Sequence, residues 1–407
     1  MVKLKKVPLK GPIEEVVMER FLSKNVVAVP QSGIRRFFEL VSHSKDCLPL
    51  VVGEPDFMTP DAIREAAIAA IKAGKTQYTT NWGLLELRKN ISRYLEERCN
   101  VSYNPETEIM ATIGASEAID LALRCLVEPG DEVLIPDPAY VAYSPCTRFN
   151  YGVPVAVKTT QEEGFRMTAK NLEAAISDKS KVVILPYPSN PTGAIMEKAD
   201  LEAIAKVIIK HDLVCISDEI YGELTYGQRH CSIASIEGMQ ERTVFISGFS
   251  KSFAMTGWRV GFACADNALI KEMIKIRQFS TVCPATPAQY ACVEALEKGR
   301  RDNYADIERM REEYDKRRKI MHEGLNKIGL KAFEPQGAFY IFPDVSVTGL
   351  DGMQFALTLL EKEKAAVVPG DAFGKFGKNN IRISYAYAEE ILREGLVRIE
   401  RFVTSCK

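Results

Sequence analysis

Side chains capable of chemistry follow several apolar segments in the middle of this chain. They are Asn190, Asp218, Tyr221, Lys251 and Arg259. Lys251 supplies a primary amine, which can act as a nucleophile towards a carbonyl group once its pKa is lowered. Asp218 and Tyr221 add a carboxylate and a phenol, and Arg259 adds a guanidinium whose paired donors suit a planar anion. The set predicts a site at which an amine, a carboxylate, a phenol, an amide and a guanidinium meet.

Most of these residues come shortly after a β-branched run. Asn190 follows KVVILP, Asp218 follows DLVCIS and Lys251 follows TVFIS. Ligands of open α/β sheets bind outside the carboxyl ends of the strands, so these side chains are expected to meet at one sheet edge. Another run, EIMATI, leads into Gly114-Ala115-Ser116 at the start of a helix. Free backbone N–H groups and the helix dipole favour an anion such as a phosphate there.

Each motif also has a purely structural interpretation. Asn190-Pro191-Thr192-Gly193 has the composition of a turn, Asp218 could cap a helix, and Gly114-Ala115-Ser116 could form a tight strand-to-helix turn. Short motifs produce many false positives when they are taken singly. Because the motifs occur in order and in register with the apolar runs, a shared site explains them better.

The elements that must position these residues indicate an α/β fold with a large domain at residues 55–300. Its β-branched runs end near residues 113, 136, 157, 186, 217, 247 and 265 and alternate with helical patterns, which is typical of a parallel sheet covered by helices. A long charged helix is predicted over 300–325, with short strands in GAFYIFP and NIRISYA. Residues 1–54 and 301–407 are expected to form a small α+β domain.

Composition narrows the class of partner. The 407 residues include 53 basic and 54 acidic side chains, so the net charge of -1 offers no field for nucleic acid or an anionic membrane. Ten scattered cysteines without a C-x-x-C pair, and no signal-peptide pattern, lead us to expect a cytoplasmic protein. The four histidines are too dispersed to predict a metal site. A small-molecule substrate is therefore expected.

The segment Ser250–Gly261, SKSFAMTGWRVG, resembles the fold-type I aminotransferases, the class I/II family that includes aspartate and aromatic amino-acid aminotransferases. The resemblance extends from Ser32 to the final helix. It implies the aspartate aminotransferase-like fold, with a mostly parallel central sheet in the large domain. It also implies pyridoxal 5′-phosphate as the cofactor, Lys251 as its Schiff-base lysine and Arg259 as its phosphate ligand.

The same resemblance implies roles for further residues. Asp218 would keep the pyridine nitrogen protonated, Tyr221 and Asn190 would hydrogen-bond the phenolic oxygen, and Tyr140 would stack on the ring. The residues expected around the cofactor are Gly114, Ala115, Ser116, Tyr140, Asn190, Asp218, Tyr221, Ser250, Lys251 and Arg259. Tyr78 matches a tyrosine that reaches the phosphate of the neighbouring subunit, which implies a homodimer. Ser247 occupies a stretch where the family usually has serine or asparagine.

On the substrate side, Arg382 matches the arginine that grips the α-carboxylate, and Gly53 and Asn190 match positions close to it. Segments 32–37, 185–190 and 337–343 resemble bacterial N-acetyl-LL-diaminopimelate and aromatic amino-acid aminotransferases. The resemblance implies transfer of an amino group from a bulky amino acid to 2-oxoglutarate by a ping-pong route. Residues that could line the side-chain pocket, or equally belong to the core, are Ile34, Tyr140, Tyr340 and Phe373. A second arginine for a short dicarboxylate is not obvious, although Arg35 and Arg277 are candidates.

Three other functions compete with this interpretation. A carbon-sulfur β-lyase can be built on the same fold, so the fold alone does not exclude it. A cofactor-sensing regulator would need an N-terminal DNA-binding module, and the resemblance already begins near residue 32. A dehydrogenase is disfavoured because no G-x-G-x-x-G follows the early strands. Amino transfer is the function that the motifs favour.

Overall fold

The computed structural model describes residues 18–31 and 46–406. The strands in these ranges are β1 Leu48–Pro49, β2 Ile109–Thr112, β3 Glu132–Asp137, β4 Val153–Lys158, β5 Ser180–Leu185, β6 Val214–Asp218, β7 Thr243–Gly248, β8 Gly261–Cys264, β9 Tyr340–Ile341, β10 Ala365–Ala366, β11 Val368–Pro369 and β12 Ile381–Ser384. Strands β2 to β8 correspond to the seven runs read from the sequence, and each ends within one residue of the predicted position.

The helices lie between and after these strands. They are α1 Lys24–Val27, α2 Asp61–Lys72, α3 Leu85–Cys99, α4 Gly114–Leu126, α5 Tyr143–Phe149, α6 Ala169–Ala175, α7 Lys198–Lys210, α8 Phe249–Ser252, α9 Asn267–Gln278, α10 Thr286–Arg301, α11 Ala305–Ile328, α12 Gly352–Glu363 and α13 Glu389–Ser405. Short 3₁₀ segments cover Met18–Phe21, Ile233–Ser235, Gln240–Arg242, Thr256–Trp258, Ser346–Thr348, Gly370–Phe373 and Lys375–Gly377. None of these helices combines the length and apolar character needed to span a bilayer.

A seven-stranded sheet in the order β2-β8-β7-β6-β5-β3-β4 forms the centre of the molecule. Successive residues of a strand point to opposite faces, and in β5 Val183 joins one buried cluster while Val182 and Ile184 join another. Both faces of the sheet are therefore covered, as the continuous apolar runs predict. The mostly parallel α/β fold expected from the sequence is confirmed.

One strand departs from the parallel interpretation. Strand β8 runs antiparallel to both of its neighbours, β2 and β7. Gly261 at the beginning of β8 therefore pairs with Gly248 at the end of β7. Composition alone could not predict this reversal, because an apolar β-branched run carries no information about strand direction.

The long charged helix predicted over 300–325 is interrupted. Helix α10 ends at Arg301 and α11 begins at Ala305. Asn303 and Tyr304 between them have positive φ angles, which end a right-handed helix. An ideal Cβ on Gly299 would lie 2.5 Å from the Tyr304 ring, so the tyrosine closes back onto the end of α10.

The remaining strands form two smaller sheets near the C-terminal part of the chain. Strand β12 lies between β11 and β9, antiparallel to both, and β1 pairs in parallel with β10. Helix α11 packs on α13 beside them. Asn25 in α1 instead donates a hydrogen bond to the Arg148 carbonyl at 2.6 Å. The division into residues 55–300 and a unit built from both chain ends stays a prediction.

Candidate active site

The carboxyl ends of β5, β6 and β7 open onto a cavity of about 300 Å³. Parallel strands deliver their following residues to the same edge of a sheet, which brings Asn190, Asp218 and Lys251 together. The residues that line the cavity are Gly53, Ala115, Ser116, Ile119, Tyr140, Tyr143, Pro186, Pro188, Asn190, Asp218, Ile220, Tyr221, Ser250, Lys251, Thr256, Arg259, Tyr340 and Arg382. The convergence expected from the strand ends is confirmed.

Lys251 lies in the short helix α8, immediately after β7. Its Nζ donates a hydrogen bond to the Gly53 carbonyl oxygen at 2.6 Å. Burial lowers the pKa of the Lys251 amine to about 8, although the nearby carboxylate of Glu54 opposes this shift. About a tenth of the amine is therefore uncharged and nucleophilic at pH 7.

Asp218 is the last residue of β6 and is buried in the cavity wall. Burial raises the pKa of its carboxyl group to about 6. The Tyr143 hydroxyl donates to Oδ2 at 2.8 Å and the Ile220 backbone N–H donates to Oδ1 at 3.2 Å, and both bonds favour the ionised form. Asp218 is therefore mainly a carboxylate at pH 7, able to hold a proton on a cationic partner.

The first turn of α4 and Arg259 form an anion-binding corner. Ala115 and Ser116 line the cavity where α4 begins. An ideal Cβ on Gly114 would lie 2.6 Å from Arg259 Nη2, so the guanidinium packs directly on the glycine backbone. Arg259 Nη1 also donates to the Thr256 carbonyl oxygen at 2.8 Å. Free N–H groups and a guanidinium at one point suit a phosphate.

Arg382 lies on β12, is buried and lines the same cavity. Its Nη1 donates to Asn190 Oδ1 at 3.0 Å, and its Nη2 donates to the Val51 carbonyl oxygen at 2.6 Å. Its Nε is buried without a hydrogen-bond partner among residues 18–31 and 46–406. The guanidinium carbon lies 4.5 Å from the ring centre of Tyr340 and 5.0 Å from that of Phe373. An oriented buried guanidinium with a spare donor suits a carboxylate ligand.

Tyr221 and Tyr340 both line the cavity and contact each other. Their hydroxyl oxygens lie 2.8 Å apart, and their rings meet edge to face. Burial, together with the neighbouring Tyr340, raises the pKa of Tyr221 well above its ordinary value, so its hydroxyl keeps its proton and remains a donor. An ideal Cβ on Gly53 would lie 2.9 Å from the Tyr340 hydroxyl, so a larger residue at this position would press on that oxygen.

Comparison with known families now identifies the chain. The family model described as aminotransferase class I and II matches residues 45–399. The chain belongs to the class I and II aminotransferases. It is therefore an enzyme of the transaminase type, and it uses pyridoxal 5′-phosphate.

Relatives of this aminotransferase match along nearly their whole length. The Bacillus subtilis protein YugH is 47% identical over 386 residues, 95% of this chain and 99% of the relative. An aspartate aminotransferase of Pyrococcus abyssi is 43% identical, and an aromatic-amino-acid aminotransferase of Thermococcus litoralis is 40% identical, each over 95% of this chain and 99% of the relative. The relatives thus include enzymes named for both acidic and aromatic amino acids.

Solved aminotransferases share the fold as well. The aromatic aminotransferase of Pyrococcus horikoshii superposes with a TM-score of 0.87 at 45% identity, covering 91% of this chain and 99% of that one. The aspartate aminotransferase of Thermus thermophilus with maleate gives a TM-score of 0.89 at 39% identity, covering 93% and 99%.

The cavity of this aminotransferase fits its cofactor chemically. The bare backbone of Gly114 leaves the Arg259 guanidinium room at the start of α4, which suits a phosphate group. The Lys251 amine and the Asp218 carboxylate line the same cavity, which suits an aldehyde and a protonated pyridine nitrogen. The buried Nε of Arg382 has no hydrogen-bond partner within the described part of the chain, which leaves a donor that suits a carboxylate.

Several expected residues lie elsewhere. Tyr78 is 84% exposed and is absent from the lining of its own chain's cavity. Ile34 and Arg35 lie outside the described residues. The Ser247 hydroxyl donates to the Glu219 carbonyl oxygen at 3.2 Å, away from this cavity. Arg277 is fully buried against Glu117 and does not line the cavity, so it is not the second arginine that the sequence left open.

Sequence reasoning also missed part of the cavity wall. The unpredicted lining residues are Ile119, Tyr143, Pro186, Pro188, Ile220 and Thr256. Tyr143 matters most, because it donates a hydrogen bond to Asp218. A signal for it was present: Tyr143 lies three residues after Tyr140 in the segment that follows β3, and the two rings contact edge to face.

Proposed function

We propose that the enzyme transfers the amino group of an amino acid with a bulky side chain, aromatic or of the N-acyl-diaminopimelate type, to 2-oxoglutarate. The observation that carries the proposal is the setting of Arg382, whose guanidinium lies between the rings of Tyr340 and Phe373 beside the cavity. This arrangement supports an α-carboxylate on the guanidinium, with the side chain of the substrate against aromatic walls. The two half-reactions would share one site, which implies ping-pong kinetics.

We assign the reactive amine to Lys251. Its neutral amine would hold the aldehyde of the cofactor, and the same amine, when free, would hold the proton that leaves the substrate α-carbon. When bound, pyridoxal 5′-phosphate supplies an electron sink for the charge that develops at the α-carbon. The lowered pKa of Lys251, about 8, supports both tasks of the amine.

The other cavity residues would hold and orient the cofactor and the substrate. Asp218 would keep a proton on the pyridine nitrogen, and its hydrogen bond from Tyr143 supports the ionised form that this needs. Tyr221 and Asn190 would donate to the phenolic oxygen, and Tyr140 would stack on the ring. The phosphate would bind the corner formed by the start of α4, Ser250 and Arg259. On the substrate side, Gly53 lets the backbone come close to the carboxylate on Arg382.

The preference for a bulky side chain rests on the cavity walls. Tyr140 and Tyr340 line the cavity, and Phe373 flanks Arg382. Arg277 gives no support to a short dicarboxylate, since it donates to the Ala111 carbonyl and, at 3.0 Å, to the Asn81 carbonyl besides its pair with Glu117. Aromatic surroundings favour apolar or amphipathic groups over a second carboxylate.

An amino-donor panel with 2-oxoglutarate tests the proposal. Specificity constants are measured for tyrosine, phenylalanine, N-acetyl-LL-diaminopimelate and aspartate. We expect one of the three bulky donors to lead, because burial of an apolar side chain contributes binding free energy that aspartate lacks. A clear lead for aspartate would defeat the substrate proposal. Pyruvate and ammonia release from cystathionine, faster than amino transfer, would favour the β-lyase alternative.

A further inference from the structure

Tyr340 is the first residue of β9, is fully buried and lines the cavity. Its hydroxyl lies 2.8 Å from that of Tyr221, and its ring lies under the Arg382 guanidinium at 4.5 Å. We infer that Tyr340 is a positioning residue: it donates its proton to the Tyr221 oxygen and so directs the single Tyr221 proton at the phenolic oxygen of the cofactor. The inference rests on the proposed role of Tyr221.

The direction of this hydrogen bond follows from counting protons. A tyrosine hydroxyl has one proton to donate and lone pairs with which to accept. In the isolated pair, either Tyr221 or Tyr340 can be the donor. Once Tyr221 donates its hydroxyl proton to the cofactor, it has none left for Tyr340. The 2.8 Å contact between the two hydroxyl oxygens then remains a hydrogen bond only if Tyr340 is the donor.

The surroundings of Tyr340 support its role as the donor. An ideal Cβ on Gly53 would lie 2.9 Å from the Tyr340 hydroxyl, so the backbone of Gly53 restricts where that hydroxyl can move. Burial raises the pKa of Tyr340, which keeps it protonated, while the nearby positive charge of Arg382 acts in the opposite direction and makes it a better donor. The ring holds its place under Arg382 by a cation–π contact.

The hydrogen bond from Tyr340 to Tyr221 should strengthen the bond from Tyr221 to the cofactor. Hydrogen bonds in a chain polarise one another, so Tyr221 donates more strongly to the phenolic oxygen when it accepts from Tyr340. If Tyr221 donated more weakly, more negative charge would remain on the phenolic oxygen. That charge would keep the proton on the neighbouring Lys251 nitrogen up to a higher pH. Tyr340 therefore lowers the pH at which the absorption of the bound cofactor titrates.

The test is a pH titration of the visible absorbance of the holoenzyme without substrate. Tyr340→Phe keeps the ring and removes the hydroxyl, and we expect the midpoint to rise by about 0.3 pH unit. Tyr385→Phe is the matched control, because Tyr385 is equally buried and donates to the Ala338 carbonyl at 3.2 Å, outside the cavity. Its midpoint should equal that of the unmodified enzyme.

A double-mutant cycle shows whether Tyr340 acts through Tyr221. Tyr221→Phe alone should raise the midpoint more than Tyr340→Phe does, and adding Tyr340→Phe to it should change little further. Additive shifts would mean that Tyr340 acts directly, against the inference. Gly53→Ala is a second way to disturb this hydrogen bond, since its new methyl group would press on the Tyr340 hydroxyl. We expect it to raise the midpoint of the absorbance titration, as Tyr340→Phe does.

The outcomes separate this inference from the proposed function. The roles proposed for the cavity would be refuted if the purified protein bound pyridoxal 5′-phosphate but showed no visible absorption band, or showed a band that Lys251→Ala leaves unchanged. A normal band with an unshifted midpoint in Tyr340→Phe, or an equal shift in Tyr385→Phe, overturns the positioning role alone. A shift that occurs in Tyr340→Phe and Gly53→Ala, is absent from Tyr385→Phe, and is lost when Tyr340→Phe is added to Tyr221→Phe supports it.

Discussion

Lys251 and Asp218 share one cavity, yet burial moves their pKa values in opposite directions. The pKa of the amine falls to about 8 and that of the carboxyl group rises to about 6, because burial disfavours the charged form of each. Between these two values Asp218 is ionised while a fraction of Lys251 is neutral. The cavity therefore offers an anion and a nucleophile together in the neutral pH range.

The first prediction concerns the pH dependence of cofactor capture. Only the neutral amine attacks, so the rate at which cofactor-free enzyme takes up pyridoxal 5′-phosphate should rise with pH and level off above about 8. An amine with the ordinary value of 10.5 would keep gaining rate well beyond that point. Stopped-flow absorbance follows the reaction, and Lys251→Ala is the blank. A rise that continues to pH 10 would contradict the lowered pKa.

The second prediction concerns Tyr143. Its hydrogen bond lowers the pKa of Asp218, so Tyr143→Phe should raise that pKa by about one unit. Activity that needs ionised Asp218 is present above its pKa and is lost as pH falls through it, so the acid limb of the kcat profile should move to higher pH.

Asp218→Ala should lose most turnover at every pH while still attaching the cofactor. If the acid limb of the kcat profile did not move in Tyr143→Phe, the proposed effect of Tyr143 on the pKa of Asp218 would be ruled out.

At the scale of elements, Arg277 ties the start of α4 to its surroundings. It is fully buried near the end of α9, and its Nη2 lies 2.5 Å from Glu117 Oε2. Glu117 in turn accepts from the Ile113 backbone N–H at 2.6 Å, just before α4 begins. The pair therefore fixes the strand-to-helix turn that forms the proposed phosphate corner.

The third prediction tests this buried pair. Arg277→Met should lower the free energy of unfolding by about 3 kcal/mol, because it leaves the Glu117 carboxylate without its buried partner. Arg124→Met is the control, since its pair with Asp120 lies on α4, as Glu117 does, but is partly exposed and is worth less than about 1 kcal/mol. Chemical denaturation measures both variants. Equal losses would show that the Arg277 pair is no stronger than a surface contact.

The order of the elements was more predictable from the sequence than their directions and breaks. The apolar runs predicted the strands because both faces of the sheet are buried, and ligand-site residues follow from the rule of strand ends. The break before α11 could not be predicted because a charged helical pattern continues across it, whereas the break depends on the positive φ angles of Asn303 and Tyr304 and the packing of Tyr304 on Gly299. Tyr143 escaped notice because Asp218, its partner, lies 75 residues away.

At the scale of the whole molecule, two aromatic side chains stand out on the surface. Tyr78 is 84% exposed and Phe279 is 88% exposed. Their segments are joined by hydrogen bonds from Asn81 to the Val282 carbonyl at 3.0 Å and from Thr286 to the Gln77 carbonyl at 2.6 Å. We propose that this face meets a second copy of the chain and that Tyr78 enters the partner's site.

The fourth prediction is complementation between inactive variants. In a homodimer with shared sites, Tyr78→Ala mixed with Lys251→Ala forms hybrids in which one site has both native residues. After subunit exchange at equal amounts, activity should recover to about a quarter of the native value. Each variant alone is the control. A fully active monomer in sedimentation, or mixing without recovery, would exclude a shared site.

The reversed strand β8 has a consequence for how this enzyme can change over evolution. Gly248 and Gly261 are paired across β7 and β8, so both ends of the connection that carries Lys251 and Arg259 are pinned. An inserted residue there would displace one of the two charged groups by up to about 3.8 Å. We therefore expect the connection to diverge by substitution rather than by a change of length, and relatives that share Lys251 and Arg259 to keep the spacing between them.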